Sequence, residues 1–149
     1  MRARVIFFLL LMAGEPLGPW FGTWKLNPAK STSNSESRFK RVTLKVEPWQ
    51  DGLKVTYDMV GIRGGVTHME WTGKFDGKDY PVQGVDYVLT NAYTRLDEQS
   101  YQIVIKVDGA VAATAKVVVS PDGKTLTTST VEKNARGESV TTTTVYDRQ

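Results

Sequence analysis

The chain has 149 residues, 40% of them hydrophobic, which suits one domain with a core of its own. It contains no cysteine, and this excludes a disulfide framework, thiolate catalysis and thiolate metal sites. The formal charge of +3 is spread among many positions, with Arg38, Lys40 and Arg41 the only local cluster, so no basic stripe suits a nucleic-acid backbone.

Arg2 and Arg4 precede an apolar run at residues 5–13 (VIFFLLLMA), too short to anchor in a bilayer and of the kind that opens an export signal. Residues 1–18 are therefore expected to direct export to the periplasm or the exterior, leaving one domain over 19–149. Glu15 and Pro16 stand where small residues usually mark cleavage. Removing the segment takes two basic residues and one acidic residue with it and leaves +2.

Gly22, Thr23 and Trp24 open the first strand-like run, over 20–27. Residues 27–37 (NPAKSTSNSES) follow as the one long polar connection, lacking the apolar spacing of an amphipathic helix and read as a flexible crossing. Beyond it the apolar period is two residues almost throughout. Val42, Leu44 and Val46 alternate with polar neighbours over 39–48. Leu53, Val55, Tyr57 and Met59 do so over 53–60, and Met69, Trp71, Gly73 and Phe75 over 66–76. Shorter runs at 79–82 and 86–95 precede an apolar row of Tyr101, Ile103, Ile105 and Val107 over 100–108. Val111, Ala113, Ala115, Val117 and Val119 form the next, over 111–119. The final runs, 124–132 and 139–147, carry threonine on both faces.

Asp-Gly pairs at 51–52, 76–77, 108–109 and 122–123 lie between these runs, and residues 134–137 (NARG) form a looser connection. Such pairs accept the positive φ of tight hairpins. The glycine-rich 61–65 (GIRGG) leads into a strand and reads as a bend rather than a phosphate cradle. Short strands joined by explicit turns predict an all-β fold, an antiparallel up-and-down β-barrel of about 8–10 strands without a helical lid. Closure removes the edges that would otherwise pair with other molecules. Lys45, Glu47, Lys54, Asp58, Glu70 and Lys74 fall on the outward faces, which argues against membrane insertion as a barrel.

Little in the chain suggests catalysis. His68 is the only histidine and shares the polar side of its strand with Glu70, so a nucleophile relay has a single possible base and a zinc site lacks nitrogen partners. No cofactor is expected; haem held through His68 alone is the residual alternative. The aromatic rows are more suggestive. Tyr57, Trp71, Phe75, Tyr101 and Tyr146, with Met59, Met69 and Thr144, are the candidates for lining an interior cavity; a core filled by its own side chains is the competing reading. Threonine on an inner wall would need water or an amphipathic ligand as partner.

Residues 21–31 (FGTWKLNPAKS), 75–82 (FDGKDYPV), 120–127 (SPDGKTLT) and 145–149 (VYDRQ) resemble a family of small exported bacterial proteins described as lipocalin-like. More coarsely, the chain is similar to the calycin barrels. That resemblance implies a structural plug in which Trp24, after Gly22, closes one end and a basic residue of the last strand packs across it, a role that falls to Arg148. Fatty-acid-binding proteins hold a carboxylate with an Arg-x-Tyr on the last strand. Here Thr144 stands two before Tyr146, which departs from that grip.

Together these readings predict an exported, monomeric, non-catalytic barrel that takes a small lipophilic molecule into its interior. The alternative is a structural or protein-interaction module of the cell envelope with a filled barrel.

Overall fold

The computed structural model describes residues 18–32 and 39–149; residues 1–17 of the expected export segment, and residues 33–38 with Arg38, lie outside them. Ten strands form a closed antiparallel barrel: β1 (Gly22–Leu26), β2 (Phe39–Trp49), β3 (Gly52–Gly61), β4 (Val66–Gly73), β5 (Tyr80–Gln83), β6 (Leu89–Asp97), β7 (Ser100–Val107), β8 (Ala110–Val119), β9 (Thr125–Lys133) and β10 (Ser139–Arg148). Each strand pairs with its sequence neighbours, and β1 pairs with β10 to close the ring. This is the up-and-down topology that the run of hairpin signals predicts.

The alternation assigns the faces as expected along most strands. Val42, Leu44 and Val46 of β2, Leu53, Val55 and Met59 of β3, and Trp71 of β4 are all buried in one core cluster. Two details differ. Ile105 pairs with Ala113 while Lys106 pairs with Val111, so Ala112 is an extra residue and the phase of β8 changes there. Val111 consequently leaves the inward row and is 61% exposed. At 50–52 the left-handed residue is Gln50, with φ 52°, and Gly52 already belongs to β3. Its glycine serves close approach: a Cβ there would lie 1.9 Å from the carbonyl oxygen of Gly73. Asp108 and Gly109, with φ of 50° and 85°, make the tight turn the pair predicts.

The described part of the polar connection is held rather than flexible. After a single 3-10 turn at Pro28–Lys30, the chain follows β10: Thr32 N–H donates to Thr143 O at 2.8 Å, and Val145 N–H donates to Ser31 Oγ at 2.9 Å. This segment lies at the end of the barrel that also carries the β3–β4, β7–β8 and β9–β10 turns. The residues before β1 lie at the other end.

Candidate functional site

One end of the barrel is sealed. Trp24 is fully buried, and its indole N–H donates to the carbonyl of Trp20 at 2.9 Å. The Arg148 guanidinium lies 4.2 Å from the centre of the Trp24 ring and donates to three carbonyls, of Gly123 at 2.6 Å, Phe21 at 2.9 Å and Pro19 at 2.6 Å. A planar fork of fixed donors suits this convergence of carbonyls, and the ring's π face accepts the cation. Gly22, with φ 141°, lets the backbone pass: a Cβ there would sit 2.5 Å from Arg148 Nη1. Gly22, Trp24 and Arg148 are thus brought into contact at this end of the barrel, as a plug.

Above the plug, aromatic rings fill the lower barrel. Trp20 meets Tyr101 edge-on at 5.2 Å and Phe75 at 5.5 Å; Tyr101 stacks on Tyr93 at 5.2 Å, and Tyr93 stacks on Trp71 at 4.0 Å. The Trp71 indole N–H is shared between the carbonyls of Tyr80 and Asn91, each at 3.1 Å, which fixes the top ring of the column. Offset and edge-on contacts of this kind add to the gain from burial. Burial also pushes the Tyr93 and Tyr101 phenols well above their ordinary range.

Above Trp71 the interior opens. A cavity of about 250 Å³ rests on Trp71 and is bounded by Tyr57, Met69, Asn91, Thr144 and Tyr146 among others. A larger one of about 470 Å³ reaches toward the other end, past Met59, Val42 and Phe39 to Pro28, Ser31 and Thr32 of the held segment. The two share Tyr57, Met69, Thr130, Thr144 and Tyr146, so they are neighbouring chambers of one interior. The register explains the hydroxyls on this wall. Thr128 pairs with Thr144 and Thr130 with Thr142, which sets four inward threonines side by side on β9 and β10. Tyr57 keeps accessible surface, as a side chain beside a cavity does, yet lies deep enough that burial pushes its phenol up to about 12. The Tyr146 phenol is raised by burial and, secondarily, by Tyr57.

Six of the eight cavity candidates meet here: Tyr57, Met59, Met69, Trp71, Thr144 and Tyr146. Phe75 and Tyr101 do not; they belong to the aromatic column nearer the plug, because Phe75 follows the end of β4 and Tyr101 stands at the start of β7, both below Trp71. Asn91 is a polar lining residue outside the candidate set. Its buried Oδ1 has no hydrogen-bond partner among the described residues. The signal was present in the alternation of Leu89, Asn91 and Tyr93, where a polar residue interrupts an inward row.

On the outer wall, His68 is clamped between two carboxylates, Nδ1 at 2.5 Å from Asp58 and Nε2 at 2.9 Å from Glu70. Both ring nitrogens are engaged and half-exposed to solvent, away from the interior where a haem would sit. Among the described residues no group of histidine, aspartate and glutamate is arranged to hold a metal ion. No helix there is long and apolar enough to cross a membrane. Comparison with protein-family models, with curated proteins and with solved structures gives no match to this chain.

Proposed function

We propose that this barrel binds a small apolar or amphipathic molecule in its interior and performs no covalent chemistry. The observation that carries the reading is the two-chambered interior above Trp71, whose larger part of about 470 Å³ falls in the size range of small-molecule sites. Its wall combines apolar side chains with a few hydroxyls, the composition of a site that solvates a mostly hydrocarbon ligand. The lipocalin-like resemblance and the apolar run at 5–13 support a place outside the cytoplasm for this activity, as an exported monomeric carrier. The envelope-interaction alternative draws on a different observation: Ile62, Val66, Tyr87 and Val88 are all more than half exposed on turns and strand ends at the unplugged end.

Titration with a panel of environment-sensitive lipophilic fluorophores tests the binding reading. Saturable binding of one molecule per chain is expected, with quenching or a spectral shift of Trp71 at the chamber floor. Thr144→Phe, which fills space shared by both chambers, should weaken that binding at least about tenfold while the barrel still melts cooperatively. Failure of every probe to saturate, or equal binding by the filled variant, would overturn the reading.

A further inference from the structure

We infer that the head group admitted to this interior is uncharged and donates a hydrogen bond, as an alcohol or primary amide does, and that carboxylates are refused. The inference rests on the binding reading above and concerns only which ligands that interior selects. Among the described residues, neither chamber is lined by a lysine, arginine or histidine. An anion brought inside would lose its hydration without gaining a counter-charge, and such a transfer is strongly unfavourable. The tyrosines offer no help as charges. Burial holds the phenols of Tyr57 and Tyr146 neutral at any physiological pH, so they act only as hydroxyl donors and acceptors.

A cationic head fares no better. Glu70 borders the smaller chamber, but its carboxylate is turned to the outer wall, where Oε2 meets His68 and Oε1 lies 3.6 Å from Lys54. Glu132 lines only the larger chamber and is itself exposed, so its charge is screened by solvent.

What the wall does offer is an acceptor in need of a donor. Asn91 borders the smaller chamber beside Trp71, and its Oδ1 is buried without a partner among the described residues. That oxygen has almost no accessible surface, so rotation of the amide about its terminal bond is what turns it to the chamber, where a ligand O–H or N–H completes a bond the protein leaves open. The hydroxyls of Thr128 and Thr144, adjacent in register, supply further neutral partners on the facing wall. A hydrocarbon tail then extends past Met69 and Met59 into the larger chamber.

Displacement of a bound lipophilic fluorophore by dodecanol, dodecanoate and dodecylammonium at neutral pH tests this directly, since the three share a tail and differ only in the head. Dodecanol is expected to bind at least about tenfold more tightly than either ion. Lowering the pH until dodecanoate is protonated should bring its affinity toward that of the alcohol. Asn91→Leu and, independently, Thr144→Val should each reduce the alcohol's advantage, whereas His68→Gln on the outer wall should leave it unchanged. If dodecanoate or dodecylammonium binds as tightly as dodecanol, the head-group inference fails while interior binding stands. If neither the fluorophore nor any of the three saturates, interior binding itself fails and the inference falls with it.

Discussion

At the scale of single residues, two side chains draw several partners together by charge. Arg148 sits at an exposed position, so each of its bonds is weakened by solvent, yet three carbonyls and one aromatic face converge on it. Arg148→Ala should lower the free energy of unfolding by about 2 kcal/mol, read from the urea midpoint at unchanged slope. Arg148→Lys should recover little of it, because an ammonium cannot reach three divergent acceptors at once. His68 offers a pH-dependent counterpart. Hydrogen bonds to Asp58 and then Glu70 raise its pKa above the ordinary 6.5, whereas the bond to His68, followed by the charge of Lys54, lowers that of Glu70 below 4.5. The histidine's contribution is therefore complete below pH 6.5 and fades as pH climbs through its folded pKa. That of Glu70 is complete above 4.5 and fades as pH drops through its own. An NMR titration of the His68 ring should place its midpoint above 6.5. His68→Gln should remove the fall in stability between pH 6.5 and that midpoint.

At the scale of strands and turns, glycines that look alike in the sequence have different work to do. Gly52 and Gly109 both follow aspartate, but the first lies against the backbone of Gly73 and the second faces open space at φ 85°. Gly52→Ala should cost about 3 kcal/mol or more, since a carbonyl must move, whereas Gly109→Ala should cost about 1 kcal/mol for the left-handed backbone alone. Thermal melting of the two variants distinguishes them. The strands themselves were legible because apolar period and turn chemistry agreed at nearly every junction. The exceptions have local causes. The bulge at Ala112 reverses a phase that looked continuous through Val111, and the polar residues after Asn27 resemble a loop although Ser31 and Thr32 bond along β10.

At the scale of the whole molecule, the inward rows divide by height: a solid aromatic column near the plug and open chambers above it. The sequence identified the rows but not the heights, since a period of two specifies the face of a residue and not which rings it meets along the axis. For this reason Phe75 and Tyr101 went with the cavity candidates, although both pack beside Trp20. The buried tyrosines give this architecture a measurable signature. Desolvation raises the phenols of Tyr57, Tyr93, Tyr101 and Tyr146 above the ordinary 10, so the unfolded chain binds fewer protons than the barrel at alkaline pH and stability falls as pH rises past 10. Their phenolate absorbance should appear together with loss of the far-ultraviolet signal in one cooperative step; ionisation of all four in the intact fold would contradict the packing described. Ring closure has a further consequence, in time rather than in structure. The bond from Arg148 to Phe21 spans 127 residues of sequence, so β1 and β10 meet only after the chain between them has been ordered. Until then each is an open strand edge able to capture another chain. Refolding should therefore end in a slow step whose yield falls as protein concentration rises, the plug being the last part of the barrel to form.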